Sequence, residues 1–152
     1  MTAAARFQIA DEEALVITLD PQSARYVSIQ LTDPWMVSVD YRRRFSSLNN
    51  HQAWHNPDGM ITYIVAIDEP GAANWLDPGG LHSGALLIRW EMFEGASSPD
   101  CAIRNFQTIK LRDLDAVLPF AMPRVSRSVR EQMRATRYAQ YLRRLNVVLP
   151  PG

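Results

Sequence analysis

The stretch RYVSIQL, residues 25–31, places Tyr26, Ser28 and Gln30 on one side of an extended chain and Val27, Ile29 and Leu31 on the other. This strict alternation of polar and apolar residues is typical of a half-buried β-strand. Four further runs predict strands: ALVITL at 14–19, MITYIVAI at 60–67, ALLIRWEMF at 85–93 and AIRNFQTIKL at 102–111. We therefore predict a mainly β fold, an antiparallel jelly-roll-like β-sandwich, followed by a C-terminal amphipathic helix.

The residues NPDG at 56–59 predict a tight turn, because proline presets φ at its second position and glycine tolerates positive φ at its end. A weaker strand, rich in Ser and Asn, precedes the turn at Arg44–Trp54, and the apolar run Met60–Ile67 follows it. The simplest arrangement is a β-hairpin that pairs these two segments.

The segment Glu69–Gly84 contains four glycines and two prolines in 16 residues, which predicts a long loop without regular structure. Loops of this length in compact domains usually serve a function or cover another part of the protein. We expect Trp75 to be a buried anchor that holds this loop on the sandwich.

Helical patterns begin after residue 111. Residues Arg112–Leu118 predict a short helical turn that Pro119 ends, and Ser128 with Glu131 has the spacing of a helix N-cap box. The following residues at three- and four-residue steps predict one apolar stripe: Val129, Met133, Thr136, Ala139, Leu142 and Leu145. We divide the chain into a β-sandwich body at 1–111 and a helical extension at 112–152, packed on the body or on a partner.

Charge is distributed unevenly along the 152 residues. The first 100 residues hold 6 Arg and 13 Asp or Glu, whereas residues 101–152 hold 10 Arg or Lys and 3 Asp or Glu. We interpret this asymmetry as a basic extension that packs against an acidic body, within one chain or across a homodimer. The sequence contains no basic stripe interleaved with aromatic residues, so we do not expect nucleic-acid binding. It contains no apolar run long enough to span a membrane, so we do not expect membrane insertion.

The chain has a single cysteine, Cys101, which excludes an internal disulfide and fits a reducing compartment. With no apolar signal segment at its start, we expect a soluble, cytoplasmic protein.

The order of the polar blocks resembles the bacterial "domain of unknown function 1214" family. The blocks are Tyr26–Leu31, Asp40-Tyr41 with Arg44–Asn49, Asp58-Gly59, Pro70–Asp77 and Arg89-Trp90. The resemblance covers about residues 10–145 and implies a jelly-roll-like β-sandwich that usually forms the C-terminal part of a longer chain. It implies a stand-alone or truncated form here, and it supplies no catalytic residues.

Several polar and aromatic side chains lie between the apolar runs, where a hydrophobic face does not require them, and such positions often bind ligands. The candidate ligand-binding residues are Tyr41, Ser46, Asn49, Gln52, Asn74, Trp75, Asp77 and Arg89. Alternatively, Asn49 and Asn74 tie loop backbone by hydrogen bonds, the common use of asparagine in turns. The candidate catalytic residues are Asp40, Arg44 and His82; alternatively, Asp40 and Arg44 form a structural ion pair.

No nucleophile elbow, phosphate loop or dinucleotide-binding motif occurs, and we expect no cofactor and no metal. His51 and His55 would form a metal pair only on a helix, and we place them in an extended segment and a turn. Two classes of function remain. The first is a non-catalytic module that binds a small molecule, a glycan or a partner chain. The second is a cofactor-independent hydrolase, lyase or isomerase that acts on a small organic acid or sugar.

Overall fold

The structure, a computed structural model, describes residues 1–148, with side chains up to residue 145, and contains two four-stranded sheets. The first sheet has the order β1-β7-β3-β4 and is antiparallel. Its strands are β1 (Thr2–Gln8), β7 (Ser83–Phe93), β3 (Ala24–Thr32) and β4 (Ser47–Asn49). The second sheet has the order β6-β5-β2-β8. Its strands are β6 (Trp75–Leu76), β5 (Ile61–Ala66), β2 (Glu13–Leu19) and β8 (Ile103–Lys110).

The mainly β, sandwich-like fold is confirmed. One detail differs, because β5 and β6 are parallel, so that the second sheet is mixed. The jelly-roll assignment stays a prediction.

The main core lies between the two sheets. Alternating residues of β3, Val27, Ile29 and Leu31, meet Tyr63 of β5 and Trp90 of β7 in one buried cluster. Because side chains alternate across a strand, Tyr26, Ser28 and Gln30 lie on the opposite, outer face of the first sheet.

A second apolar cluster covers the outer face of the second sheet. Here Val16 and Ile64 pack against Leu114, Leu118 and Met122 from the segment that follows β8. This segment begins with a 3-10 turn at Leu111–Asp113 and the short helix α1 (Leu114–Val117), where the sequence predicted a short helical turn. Strand β5 is thus buried on both faces, which explains why its sequence is almost entirely apolar.

The predicted hairpin between Arg44–Trp54 and Met60–Ile67 is wrong. Only Ser47–Asn49 of the first segment is a strand, and it pairs with β3, whereas β5 pairs with β2 and β6 in the other sheet. The 56–59 turn does form, with the Gly59 amide donating to the Asn56 carbonyl at 2.9 Å. The chain crosses between sheets because β5, apolar on both sides, needs an interior position, and the polar β4 suits an edge.

Two strands were not predicted. In β1 two of the three inward residues, Ala3 and Ala5, are small, and only Phe7 is a large apolar residue, so its apolar signal is weak. The two-residue strand β6 lies within the predicted loop Glu69–Gly84 and joins its neighbour by a short parallel ladder.

The long helix α2 (Arg127–Val148) begins after Ser126, whose side chain accepts a hydrogen bond from the Val129 amide at 3.4 Å. Ser126 is therefore the N-cap, and the prediction of Ser128 is wrong. Residues 149–152 of the predicted extension lie outside the described residues. Within residues 1–148, no helix is long and apolar enough to cross a membrane.

The predicted apolar stripe of α2 does not face the body. Val129 and Met133 are 46% and 38% exposed, and Leu142 and Leu145 are similarly exposed, whereas Arg130 is only 2% exposed. Beyond residue 136 the stripe advances in steps of three, and each such step turns back by about 60° around a helix of 3.6 residues per turn. The residues therefore spread around the helix instead of sharing one face.

The body contacts a polar and aromatic side of α2, which we call the helix seam. Its members are the buried or half-buried residues Arg130, Arg134, Arg137, Tyr138 and Tyr141. Arg130 donates to the Ala72 carbonyl just before β6, and Arg137 donates to the Ser47 carbonyl of β4. The helix thus lies along the side of the sandwich where the edge strands β4 and β6 meet.

Candidate functional site

The register of the first sheet arranges polar residues in rows on its outer face. Ser28 pairs with Arg89 on one side and Asn49 on the other, and Gln30 pairs likewise with Leu87 and Ser47. Directly opposed residues on neighbouring strands have Cβ atoms about 5 Å apart. These rows form the floor of a groove.

Helix α2 forms one wall of this groove, which we call the sheet–helix groove. The helix residues that line the groove are Arg137, Gln140, Tyr141 and Arg144. The volume of the groove is about 420 Å³. Tyr41 meets Tyr141 edge to face, with ring centroids 6.1 Å apart. The volume lies within the range of small-molecule sites, roughly 300–1,000 Å³.

Positive charge dominates the groove. Arg89, Arg137 and Arg144 line it, and Glu91 is the single acidic residue among its described lining residues. Burial, together with the charge of Arg144, lowers the pKa of Arg137 from its ordinary value. Arg89 is exposed, and its side chain makes no hydrogen bond or ion pair with any residue that the structure describes. The groove therefore has unbalanced positive charge.

Arg137 is the most firmly held of the three arginines. Its Nε donates to the Tyr41 carbonyl at 2.7 Å, and one terminal nitrogen donates to the carbonyl and hydroxyl oxygens of Ser47 at 3.1 and 2.9 Å. Its guanidinium also lies 5.4 Å from the ring centroid of Phe45. These contacts fix one cationic group in the wall before any ligand arrives.

A second space, which we call the α2–β6 cavity, lies beside the N-terminal half of the helix. It has a volume of about 640 Å³ and is lined by Trp75, Asp77, Arg44 and Arg134 among others. Asp77 is buried and accepts two hydrogen bonds from Arg44, both at 3.1 Å, and one from the Gly79 amide at 2.8 Å. Gly79 has φ of +69°, a conformation that favours glycine.

Trp75 is 3% exposed, and its indole N–H donates to the Ala66 carbonyl at 3.0 Å. The prediction that Trp75 is a buried anchor of its loop is confirmed. Its ring also lies beneath the guanidinium groups of Arg130 and Arg134, at 5.5 and 5.6 Å from the centroid.

The predicted ligand-binding residues divide into three groups. Tyr41, Asn49, Gln52 and Arg89 line the sheet–helix groove. Trp75 and Asp77 line the α2–β6 cavity. The third group, Ser46 and Asn74, is buried, with polar atoms committed to the protein itself.

Asn74 has a structural role of the kind that the alternative interpretation described. Its side-chain oxygen accepts from the Trp54 amide at 2.7 Å, and its nitrogen donates to the carbonyls of Trp54 and Thr62 at 2.7 and 2.9 Å. Ser46 donates to the Val39 carbonyl at 3.2 Å. Asn49 has a mixed role, since its side chain also accepts from the amides of His51 and Gln52.

The predicted pairing of Asp40 with Arg44 is wrong. Asp40 pairs with Arg42 at 2.9 Å, whereas Arg44 pairs with Asp77, whose buried carboxylate offers both oxygens to the guanidinium. The hydrogen bond from Arg42 holds the pKa of Asp40 below its ordinary value, which makes Asp40 a weaker base.

The three candidate catalytic residues do not share a partner. His82 approaches the Ile9 carbonyl at 3.1 Å and Asp11 at 3.7 Å, whereas Asp40 pairs with Arg42 and Arg44 pairs with Asp77. Among the described residues, no three His, Cys, Asp or Glu side chains are arranged to hold a metal ion. The geometry therefore does not assemble the acid–base set that the enzymatic alternative requires.

Four functional candidates on α2 were missed from the sequence, namely Arg134, Arg137, Tyr141 and Arg144. The signal was present, because these residues follow Arg130 at steps of three and four and so share one side of the helix. The sequence analysis predicted that the basic extension packs against the acidic body, but it did not identify which arginines make the contact.

No family model matches the chain, and no curated protein matches it. An uncharacterized protein from Burkholderia cenocepacia with a crystal structure is similar over 73% of this chain, at 38% identity and a TM-score of 0.65. A Vibrio parahaemolyticus protein is similar over 72% of the chain, at 13% identity and a TM-score of 0.47. The chain spans 30% of the length of each of these two proteins. Neither name states an activity, and membership of the domain of unknown function 1214 family stays a prediction.

Proposed function

We propose that this chain is a binding module for a small organic anion that carries several hydroxyl groups, of the type of a sugar acid. The ligand would lie in the sheet–helix groove. The observation that carries the proposal is the meeting of Arg89, Arg137 and Arg144 in one groove with Glu91 as the one acidic lining residue described. A carboxylate is the natural partner of such a group, because a guanidinium donates to it through two parallel hydrogen bonds.

The remaining lining supports a hydroxyl-rich ligand. Ser28, Gln30 and Asn49 on the strands supply neutral donors and acceptors. Tyr26 and Tyr41 add aromatic surface, which packs against the C–H face of a sugar ring while the phenol hydroxyl stays available for hydrogen bonds. Polar groups in such number distinguish the groove from a purely apolar lipid site.

Titration calorimetry with D-glucuronate tests the proposal, with D-glucose as the uncharged control. We expect glucuronate to bind and glucose to bind at least about tenfold more weakly, because a charge-assisted hydrogen bond contributes about 1.5–3 kcal/mol. Arg89→Gln should weaken glucuronate binding by a similar factor. Arg6→Gln is the matched control, since Arg6 is exposed on β1 of the same sheet and does not line the groove. Equal affinity for the two sugars, or equal losses in the two variants, would contradict the proposal.

We also propose that the chain forms a homodimer. Support comes from large apolar side chains that the described chain leaves exposed, including Trp35, Phe120 and Val129. Exposed apolar surface of this kind often marks an interface. Light scattering should give twice the monomer mass at physiological salt, and a monomer mass at high protein concentration would exclude the dimer.

A further inference from the structure

The sheet–helix groove has two arginines that are available to a ligand. Arg89 and Arg144 are exposed, and their side chains make no hydrogen bond or ion pair with any residue that the structure describes. In the α2–β6 cavity, by contrast, Arg44 and Arg134 both pair with the buried Asp77. The groove therefore offers two whole guanidinium groups to a ligand.

The described lining of the groove carries an excess of positive charge. Arg89, Arg137 and Arg144 supply three positive charges and Glu91 supplies one negative charge, which leaves +2. A ligand with one carboxylate would neutralise half of this excess, and a ligand with two would neutralise all of it. Burial and the nearby charge of Arg144 lower the pKa of Arg137, so an anion beside these two arginines would also offset their repulsion.

The two available arginines lie on different surfaces of the groove. Arg89 is on the floor, where it pairs with Ser28 of β3, which pairs in turn with Asn49 of β4. Neighbouring strands are about 4.8 Å apart, so Arg89 lies about 10 Å from β4, the strand beside the helix. Arg144 is on the wall, seven residues and so about two turns after Arg137 on the same side of α2. Two anchors on different surfaces suit a ligand with a negative group at each end.

Arg137 contributes charge to the groove, but most of its donors are already used. Its Nε donates to the Tyr41 carbonyl, and one terminal nitrogen donates to Ser47. Arg89 and Arg144 can instead each bind a carboxylate through two parallel hydrogen bonds. The groove thus has one carboxylate position on its floor and another on its wall.

We propose that the sheet–helix groove is specific for an open-chain sugar acid with a carboxylate at each end, an aldaric acid. One carboxylate binds Arg89 and the other binds Arg144. The hydroxyl groups between them bond to the polar side chains of the floor, Ser28, Gln30 and Asn49. This inference rests on the function proposed above and narrows its ligand from a sugar acid to a dicarboxylate.

Titration calorimetry of the full chain with D-glucarate and D-gluconate tests the inference. The two compounds share a six-carbon chain and differ at C6, where glucarate has a carboxylate and gluconate has a hydroxyl. Glucarate should bind at least about tenfold more tightly, because it gains a second charge-assisted pair. D-glucitol 6-phosphate carries its negative charge on one group at one end, and it should also bind at least about tenfold more weakly than glucarate.

The outcomes separate this inference from the function on which it rests. Similar affinities for glucarate and gluconate would overturn the second carboxylate position and leave an anion-binding groove. Similar affinities for glucarate and glucitol 6-phosphate would show that the groove responds to total charge, which would overturn the two separate positions. Absence of binding by glucarate, gluconate and glucuronate would overturn both proposals.

A pair of adjacent arginines locates the second carboxylate. Arg144→Gln should abolish most of the preference for glucarate over gluconate. Arg143→Gln is the matched control and should retain the preference, since Arg143 is also exposed on α2 but does not line the groove. A preference that survives in Arg144→Gln, or that falls equally in the two variants, would overturn the position on the wall.

Discussion

The sandwich core and the helix seam of this protein are built from different side chains. The core holds aliphatic and aromatic residues from both sheets, among them Tyr63 and Trp90, packed without exposure to solvent. The seam holds arginines that lie over aromatic rings and donate to backbone carbonyls. Arg130 lies 5.5 Å from the centroids of both Phe45 and Trp75, and Arg137 lies 5.4 Å from that of Phe45.

This difference has an energetic consequence. Burial of a large apolar side chain contributes about 1.5–3 kcal/mol and does not depend on direction. A cation–π contact contributes about 0.5–2 kcal/mol and requires the cation to face the ring. The core therefore supplies most of the stability, whereas the seam sets where the helix lies.

The difference also bears on function. Apolar residues fill space when they pack, but planar guanidinium groups held by directional contacts leave gaps beside them. Both the sheet–helix groove and the α2–β6 cavity lie next to seam residues, Arg137 and Arg134 respectively. The seam thus supports the helix and provides the polar walls of both candidate sites.

The largest effect is expected at Trp75, where the core-like packing and the seam meet. Trp75→Ala should lower the free energy of unfolding by about 3–5 kcal/mol, because it opens a cavity and removes the ring beneath Arg130 and Arg134. Urea denaturation measures the change. Gln8→Ala is the control, since Gln8 is exposed on β1, and it should change stability by less than about 0.5 kcal/mol. Similar losses in the two variants would contradict the assignment of Trp75 as the anchor.

The next largest effect distinguishes the two sides of α2. Arg130→Ala should cost about 3 kcal/mol, because it leaves the partly buried Glu69 and the Ala72 carbonyl without their partner. Met133→Ala, three residues further along the helix, should cost less than about 1 kcal/mol, because Met133 is 38% exposed. The predicted apolar stripe would give the opposite order. Thermal and urea unfolding of both variants decide between the two orientations.

A smaller effect is expected within the core at Tyr63. Its hydroxyl is buried with no hydrogen-bond partner among the described residues. Burial raises the pKa of Tyr63 above its ordinary value. Tyr63→Phe should therefore be neutral or stabilise the protein by up to about 1 kcal/mol at pH 7.

Tyr63→Phe should also change how the free energy of unfolding depends on alkaline pH. Above about pH 10 an unfolded tyrosine loses its proton while the folded one retains it, so the unfolded state binds fewer protons and stability falls as pH rises. Tyr63→Phe should remove this part of the alkaline loss. Unfolding free energies that fall in parallel for the two proteins between pH 9 and about pH 11 would contradict the raised pKa.

Short runs with alternating polar and apolar residues, such as that of β3, were sufficient to predict a sandwich, because this periodicity is a local signal. The pairing of the strands could not be predicted from local signals. The turn at 56–59 is local and formed as expected, but the partner of β5 depends on which strands can cover both of its faces.

The candidate site shows the same limit. Tyr41, Asn49, Gln52 and Arg89 were selected as polar residues outside the core pattern, and they lie in one groove. The helical wall was missed, because the predicted apolar stripe of α2, and not its arginines, was used to orient the helix. Here aromatic rings and exposed carbonyls at the sandwich edge favour guanidinium burial instead, and their positions emerge only from the tertiary fold.

The central claim is that guanidinium contacts hold α2 on the sandwich. A double-mutant cycle of Arg130→Ala and Glu69→Ala measures it most directly, through the coupling free energy between a seam arginine and the body. The control cycle uses Arg127 and Glu131, an i,i+4 pair on α2 that is largely exposed and should couple by less than about 0.5 kcal/mol. We expect a coupling of about 1–3 kcal/mol for Arg130 with Glu69. A coupling no larger than that of the control pair would contradict the account.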